Sequence, residues 1–196
     1  MDLVSRYQRV SRQFKTPEDT EQIHAALDEL AGVLGNTPWV LGGGVAIALG
    51  LGSFYRGHSD LDVVVEQSNL EQLLAAIRPC GYRLYTRKTM KHKPFGCVLQ
   101  VPLPTRGPLL WMRPGRLCLM RRDETGNRYL DRLDLYVYRE AGDKLIPLDG
   151  ATPLDLRYPI IGATFTTRSG YSIHCLHPGY IRQFTLTRGG ANMQSI

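Results

Sequence analysis

Apolar residues near the start of the chain recur at helical spacing and predict a helix with one buried face. Intervals of three and four residues separate Ile23, Ala26, Leu27, Leu30, Val33 and Leu34. Thr16 and Pro17 suit the N-cap and the first turn of this helix, and the Gly-Asn pair at 35–36 suits its end. Weaker helical spacing over residues 3–14 predicts a further N-terminal helix.

The next apolar segments predict a strand, a glycine turn, a short helix and a second strand. Residues 39–41 read Trp-Val-Leu, residues 42–44 are glycines, and residues 45–51 are mostly apolar. Residues 61–65, Leu-Asp-Val-Val-Val, are typical of a buried strand. Ser68 is then placed to cap a helix over residues 69–77, and residues 82–85 alternate as in a half-exposed strand.

The second half of the chain predicts mainly strands. Prolines between residues 88 and 115 exclude a long helix there and leave residues 95–101 and 117–120 as short strands. Residues 132–138 alternate polar and apolar, and Phe165 and Ile173 mark two extended segments joined by a Ser-Gly turn. We expect a single α/β domain over residues 1–196 with a mixed sheet. Its N-terminal helices cover about residues 1–35, its core about 36–187, and a frayed tail 188–196.

Composition adds that the chain is globular. Hydrophobic residues make up 43% and charged residues 21%, which excludes a disordered or fibrous protein. No apolar run approaches the ~20 residues that span a bilayer, and the polar N-terminus lacks the apolar stretch of a signal peptide. We therefore expect a cytoplasmic protein that does not bind membranes. Four widely spaced cysteines predict reduced, mostly buried thiols.

Charge is unevenly distributed along the chain. The net charge is +6, and no Asp or Glu occurs from residue 72 to residue 122. A basic segment over residues 78–122 contains Arg78, Arg83, Arg87, Lys88, Lys91, Lys93, Arg106, Arg113, Arg116, Arg121 and Arg122. Such a segment attracts polyphosphate or nucleic acid, and a solvated basic face without a ligand is the alternative interpretation.

Two carboxylates open the second predicted strand. Asp60 and Asp62 flank Leu61, and the two-residue period of a strand places both acids on one face. Ionised neighbours repel each other, and a divalent metal is the usual way to hold such a pair. Arg56 precedes the pair closely enough to contact a phosphate, and His58 is either a second phosphate contact or a hydrogen-bonded structural residue.

The glycine turn supplies the other half of a candidate ligand site. Glycines leave the backbone open and place N–H groups at the start of a helix, where the helix dipole favours an anion. Gly43 and Gly44 precede the two acids by about sixteen residues. A phosphate cradle and a metal site would then lie within one small unit, and this combination is more specific than either feature alone.

These residues resemble the signature of the DNA polymerase beta-like nucleotidyltransferase superfamily, and within it the branch of the lincosamide and aminoglycoside nucleotidyltransferases. The matching positions are Gly43, Gly44, Ala46, Leu49, Gly52, Arg56, His58, Asp60, Leu61 and Asp62. The resemblance implies that the two acids hold Mg²⁺ and that a third acid on a neighbouring strand completes the set. We prefer Asp134 for this role, and Asp131, three residues earlier and so on the other face of a regular strand, is the competitor.

The resemblance also implies an activity, which is transfer of a nucleoside monophosphate from an NTP such as ATP to an acceptor hydroxyl, with pyrophosphate as the leaving group. Asp60, Asp62 and Asp134 are then the expected catalytic and metal-binding residues, for two Mg²⁺ ions, and Gly43, Gly44, Arg56 and His58 are expected to bind the nucleotide. The expected acceptor is a small, antibiotic-like molecule. The alternatives are a toxin-like enzyme that modifies tRNA or protein, and a catalytically inactive binding protein with the same fold. The preferred NTP and the oligomeric state stay open.

A later segment, residues 162–180, resembles the closing strand pair and following helix of the same family. It contains His174 and His177 on either side of Cys175. These residue types can bind metals, but no fourth ligand lies at a suitable spacing. We therefore interpret both histidines as hydrogen-bonded structural residues.

Overall fold

The chain forms a ten-stranded mixed sheet with helices packed against it, which confirms the expected α/β fold. A computed structural model describes residues 17–52, 54, 58, 60–89, 98–102, 116–121, 126–148 and 151–187. The predicted helix over residues 3–14, the Thr16 cap, the tail over 188–196 and much of the basic segment lie outside these residues.

Helix α1 (Pro17–Leu34) is the helix that the apolar spacing predicts. Its buried positions form the predicted stripe, namely Ile23, Ala26, Leu27, Leu30 and Leu34. Gly35 follows with a φ of +51°, a left-handed conformation that glycine adopts without steric cost. The backbone N–H of Gly35 donates to the Ala31 carbonyl at 2.9 Å, and the helix ends there.

The glycine turn joins β1 (Val40–Leu41) to α2 (Gly43–Gly50), and β2 (Leu61–Glu66) follows. Strand β1 runs antiparallel to β2, and the Gly42 N–H donates to the Asp62 carbonyl at 2.8 Å. Helix α2 is apolar because it packs on the sheet, with Val45, Ala46 and Ala48 buried. The predicted order of strand, turn, helix and strand is confirmed.

The remaining elements are mainly strands, as expected. They are α3 (Leu70–Ile77), β3 (Tyr82–Thr89), β4 (Val98–Pro102), β5 (Arg116–Arg121), α4 (Arg128–Asp131), β6 (Arg132–Ala141), β7 (Lys144–Pro147), β8 (Leu154–Asp155), β9 (Ile161–Thr166), β10 (Ser172–Leu176) and α5 (Pro178–Thr187). The predicted Ser68 cap is wrong, because a 3₁₀ turn over Gln67–Asn69 leads into α3. Asn69 then takes the N-cap position, without a side-chain hydrogen bond.

The strand order is β4-β3-β5-β6-β2-β1-β10-β9, with β7 pairing to β6 and β8 to β7. Strands β2 and β6 are parallel neighbours at the centre of this order. One face of this pair presents Leu61, Val63, Leu133 and Leu135 to the hydrophobic core. The other face, which we call the carboxylate face, presents Asp62 and Asp134 because side chains alternate along each strand.

Helix α1 covers the apolar face of the sheet. Arg121 lies on that face of β5, because Leu119, two residues earlier, pairs with Leu133. The Arg121 guanidinium forms an ion pair with Glu29 of α1. The helix therefore lies on the opposite side of the sheet from Asp62 and Asp134.

Three cysteines lie in the described residues, and all three are free thiols, as predicted. Cys118 and Cys175 are buried and Cys80 is half-buried. Burial raises the pKa of the Cys175 thiol to about 11, which keeps it protonated near neutral pH. Cys97 lies outside the described residues. None of the helices in the described part of the chain is long and apolar enough to cross a bilayer.

Candidate active site

The parallel pairing of β2 and β6 brings together acids that are far apart in the sequence. Asp62 pairs directly with Asp134 in the strand register, so both side chains lie on the carboxylate face. Asp60 immediately precedes β2 and contacts the same cation as Asp134. The side chain of Asp60 is 28% exposed and that of Asp134 only 5%. These three acids, the carboxylate cluster, thus lie at a partly buried position on the sheet.

Arg132 supplies positive charge to this cluster. It precedes Asp134 by two residues on β6 and therefore shares its face. Its Nη2 donates to Asp134 Oδ1 at 2.8 Å and its Nε at 3.2 Å, and Nη2 lies 3.6 Å from Asp60 Oδ2. Burial alone would lower the pKa of Arg132, but the charge and hydrogen bond of Asp134 and the charge of Asp60 outweigh burial and raise that pKa. Arg132 therefore stays protonated.

Sequence reasoning missed Arg132. The alternating pattern marks it only as a polar strand position, and the two aspartates at 60 and 62 led us to expect a metal as their counter-charge. The signal that would have identified it is its spacing of two residues from Asp134, which places a guanidinium beside a buried carboxylate.

Asp131 does not share the position of Asp134. It is the last residue of α4, and Asn127 caps this short helix by accepting a hydrogen bond from the Tyr129 N–H at 3.1 Å. Our comparison of the two acids assumed that both lie on one regular strand. That assumption was wrong for Asp131, because β6 begins only at Arg132.

Gly43 lies directly against the Asp62 carboxylate. Its φ is +64°, and a Cβ built on it would lie 1.7 Å from Asp62 Oδ2. Backbone conformation and lack of space therefore both require glycine at this position. Gly42 takes the N-cap position of α2, and Gly44 follows Gly43 in the first turn. The first N–H groups of α2 thus begin beside Asp62, where the helix dipole favours negative charge.

His58 packs toward α1. Its side chain is 5% exposed, and its ring lies edge-on to Phe54, with 5.8 Å between centroids. Phe54 in turn contacts the His24 ring of α1 at 5.6 Å, and the Tyr129 hydroxyl donates to the His58 carbonyl at 3.1 Å. These contacts pack the His58 ring toward α1, and its role in binding phosphate stays a prediction. Arg56 lies outside the described residues, so its phosphate contact stays a prediction.

His174 and His177 are hydrogen-bonded, as predicted. The Nδ1 of His174 lies 3.0 Å from the Thr164 hydroxyl. The Gly179 N–H donates to Nδ1 of His177 at 3.1 Å, and the His177 ring stacks on Tyr158 at 4.5 Å between centroids. Both histidines therefore have structural roles in and after β10.

The carboxylate cluster has the oxygen ligands of a magnesium site, but Arg132 already contacts two of its acids. Carboxylate oxygens are the ligands that Mg²⁺ prefers, and the Arg132 guanidinium shows that a cation fits between Asp60 and Asp134. Yet no three His, Cys, Asp or Glu side chains of the described residues are arranged to hold a metal ion. Arg132 holds Asp134, and Asp62 lies over Gly43. In this arrangement the three acids do not form a metal site, and the Arg132 guanidinium is the cation beside Asp60 and Asp134.

The basic segment contributes to both faces of the sheet. Arg121 lies on the apolar face, where its guanidinium is 4.6 Å from the centre of the Tyr82 ring. Arg83 is exposed and pairs with Met120, which in turn pairs with Arg132. Because paired residues share a face, Arg83 lies on the carboxylate face. A second arginine is thus available on the face where a charged ligand would approach the cluster.

A separate group of charges, the α1–hairpin contact, holds the turn between β9 and β10 against α1. Arg168 donates to the two Glu21 carboxylate oxygens at 2.5 and 2.8 Å, and the Ser169 N–H donates to Asp28 Oδ1 at 2.9 Å. Hydrogen bonding to Arg168 lowers the pKa of Glu21, and hydrogen bonding to Thr167 lowers that of Asp28.

An open groove of about 620 Å³ lies beside the α1–hairpin contact. Its lining consists of Ala25, Asp28, Glu29, Gly32, Val33, Ser169 and Tyr171. Among the expected catalytic and nucleotide-binding residues that the structure describes, none lines this groove. Because α1 covers the apolar face of the sheet, the groove is separate from the carboxylate cluster.

Comparison with known proteins yields one family match and several similar structures. Residues 22–98 match the family model for aminoglycoside-2''-adenylyltransferase. No curated protein sequence matches the chain. Lincomycin-bound lincosamide antibiotic adenylyltransferase LnuA is 14% identical, with coverage of 88% of this chain and 87% of that one and a TM-score of 0.48. ANT(2'')-Ia in complex with adenylyl-2''-tobramycin is 21% identical, with coverage of 82% and 70% and a TM-score of 0.37.

The family match includes the glycine turn, Asp60 and Asp62, and so falls on the residues that carry the resemblance seen in the sequence. Residues 22–98 of this chain are thus similar in sequence to the aminoglycoside-2''-adenylyltransferase family.

Proposed function

We propose that the protein transfers a nucleoside monophosphate from an NTP to a hydroxyl of a small, antibiotic-like acceptor, releases pyrophosphate and depends on Mg²⁺. The observation that carries this proposal is the register of β2 and β6, which pairs Asp62 with Asp134 beside Asp60. This arrangement has three acids on one face of the sheet. Asp60 and Asp62 lie within the segment that matches the family, and Asp134 lies beyond it.

The roles of the residues follow from their positions. Asp60, Asp62 and Asp134 would hold two Mg²⁺ ions, which when bound neutralise triphosphate charge and lower the pKa of the acceptor hydroxyl. The N–H groups at Gly43 and Gly44 begin α2 next to Asp62 and are suited to bind the triphosphate. We expect the chain to act mainly by holding these charges in fixed positions.

The acceptor class follows from the family match and from charge. An aminoglycoside carries several hydroxyls and amines, and ammonium groups are attracted to a site with more carboxylates than arginines. The carboxylate cluster has this excess, since Arg132 contacts Asp60 and Asp134 and a third acid, Asp62, pairs with Asp134 on the same face. We therefore favour a polycationic, polyhydroxylated acceptor, with ATP as the first donor to test.

Titration calorimetry tests the donor half of the proposal. ATP, GTP, CTP and UTP are titrated with and without Mg²⁺ into the wild type and into the Asp60→Asn/Asp62→Asn variant. We expect Mg²⁺-dependent binding of at least one NTP by the wild type only. Binding that is indifferent to both Mg²⁺ and the mutations would contradict the proposal and favour an inactive protein with this fold.

Pyrophosphate release then tests the acceptor half. The NTP that binds is incubated with a panel of aminoglycosides and lincosamides, and the modified acceptor is identified by mass spectrometry. We expect release only with an acceptor that has a free hydroxyl, and an added mass of one nucleoside monophosphate. Transfer to tRNA or protein, with no antibiotic in the panel modified, would instead establish the toxin-like alternative.

The position of Arg83 is the observation that favours this alternative. It is exposed on the carboxylate face, within a segment rich in cations. An RNA acceptor would use several such cations, and its binding would weaken steeply as salt rises because counterions are released. A small acceptor would show only a shallow salt dependence, so the salt dependence of acceptor binding separates the two functions.

A further inference from the structure

Arg132 is the cation that contacts two acids of the carboxylate cluster, Asp60 and Asp134. Two of its nitrogens donate to Asp134 Oδ1, and one of them also lies near Asp60 Oδ2. We propose that Arg132 is a built-in counter-cation that must leave Asp134 before a divalent ion binds, so that it weakens metal binding to the nucleotide-free protein. This inference rests on the proposed function, since it concerns the same carboxylates.

The burial of this ion pair distinguishes it from the surface pairs of the molecule. The Asp134 side chain is 5% exposed, whereas both partners of the Lys144–Asp155 pair are more than 40% exposed. An exposed pair exchanges readily with water and ions, and its contribution is small. A partly buried carboxylate needs a partner at all times, because an unpaired charge in this position is costly. Arg132 provides that partner when no metal is present.

Arg132 and a metal compete for the same oxygen. A guanidinium that donates to Asp134 Oδ1 blocks that oxygen as an inner ligand, and two cations at one carboxylate repel each other. Arg132 is 30% exposed, so its guanidinium has a route toward solvent when it is displaced. Metal binding therefore includes the cost of breaking a charge-assisted hydrogen bond. A metal that arrives with a triphosphate brings further ligands and a new anion for the displaced arginine, whereas a metal alone brings neither.

The experiment measures divalent metal binding without nucleotide. Mn²⁺, a Mg²⁺ substitute whose free form is visible by electron paramagnetic resonance, is titrated into the wild type, Arg132→Met and Arg132→Lys. Arg139→Met is the matched control, because Arg139 is an exposed arginine on the same strand. Melting temperatures of all four proteins are recorded in EDTA and in Mg²⁺.

We expect Arg132→Met to bind Mn²⁺ at least about tenfold more tightly than the wild type, because the two charge-assisted hydrogen bonds to Asp134 no longer have to be broken. Arg132→Lys, which keeps the charge but loses the paired donors, should lie between them, and Arg139→Met should match the wild type. Arg132→Met should also melt lower than the wild type in EDTA and gain more from Mg²⁺. If the ion pair were purely structural, Arg132→Met would have a lower melting temperature in EDTA but the same Mn²⁺ affinity as the wild type.

Equal or weaker Mn²⁺ binding by Arg132→Met overturns the inference, as does an equal increase in Arg139→Met. Should Arg132→Met fail to fold, the comparison of Arg132→Lys with the wild type decides, and equal affinity overturns the inference. Adding Asp60→Asn/Asp62→Asn to Arg132→Met should abolish the tight binding. If it does not, the metal binds elsewhere, and both this inference and the proposed metal site are wrong. If the added mutations abolish Mn²⁺ binding, but Arg132→Met alone binds Mn²⁺ no more tightly than the wild type, only the inference about Arg132 is wrong.

Discussion

The α1–hairpin contact and the carboxylate cluster use charge in opposite ways. At the α1–hairpin contact, Glu21 is matched by Arg168 through two hydrogen bonds, and both side chains are exposed. In the carboxylate cluster, three acids share one face of the sheet with Arg132, which contacts two of them, and Asp134 is almost fully buried. Matched surface charges contribute little and serve to hold two elements together. An excess of partly buried negative charge lowers stability unless a cation is bound, which supports the proposed role of this cluster in binding cations.

Asp134→Asn should produce the largest effect, and it should be on activity. The amide has nearly the same size but cannot provide a full negative charge to a metal. We expect kcat/KM to fall by about 10²–10³-fold, the range for removing one electrostatic contributor to a transition state. The melting temperature should change little, because Arg132 can still contact Asp60 and one acid of a like-charged pair is removed.

The matched control for Asp134→Asn is the same substitution in the other region. Asp28→Asn removes one negative charge at the α1–hairpin contact, where the Ser169 N–H donates to it. We expect this variant to keep wild-type activity, since Asp28 lies on the α1 side of the sheet. Steady-state kinetics and thermal melts on both variants check the contrast. Equal losses of activity would mean that the two groups of charges do not differ in function.

Gly43→Ala should distinguish the two regions by a steric clash, without any change in charge. A Cβ at Gly43 would lie 1.7 Å from Asp62 Oδ2, so the carboxylate has to move, and φ is +64°. Gly170 in the β9–β10 turn has a φ of +86°, but a Cβ there would meet nothing within 4 Å. Both alanine variants should lose about 1–2 kcal/mol of unfolding free energy from the backbone conformation alone.

Only Gly43→Ala should also lose most of its activity, because the substitution displaces Asp62. Urea unfolding combined with the nucleotidyl-transfer assay measures both quantities on the same preparations. A Gly43→Ala variant that is destabilised but fully active would show that the position of the Asp62 carboxylate is unimportant. That result would contradict the role of Asp62 in the carboxylate cluster.

Elements with strong local patterns could be predicted from the sequence. Helix α1 follows from its apolar spacing, and β2 from a run of branched apolar residues between two acids. These patterns arise because each element buries one face or both, which the order of residues records directly. The relative direction of Asp60 and Asp62 could be predicted for the same reason, since their two-residue spacing on a strand fixes it.

Contacts between distant segments could not be predicted in the same way. The pairing of Asp62 with Asp134 depends on the register of two parallel strands, which neither strand encodes alone. The contact between Arg132 and Asp60 depends on that same register. Asp131 was considered a strand residue because α4 is only four residues long and has almost no periodicity to detect. The burial of His58 likewise depends on Phe54 and α1, which its neighbours in the sequence do not reveal.

Arg168→Gln should produce the smallest effect, on stability alone and with a defined dependence on pH. Hydrogen bonding to Arg168 lowers the folded-state pKa of Glu21 below its usual value of 4.5. The ion pair therefore stabilises the fold above that value, and its contribution is lost as the pH falls through the lowered pKa. The variant lacks this contribution at every pH.

We therefore expect a small difference in melting temperature between Arg168→Gln and the wild type near neutral pH, and this difference should shrink as the pH drops well below 4.5. High salt should shrink the difference at neutral pH, because both side chains are exposed. A difference that persists at low pH would mean that Arg168 stabilises the hairpin by packing, and a loss of activity would mean that the α1–hairpin contact is not purely structural.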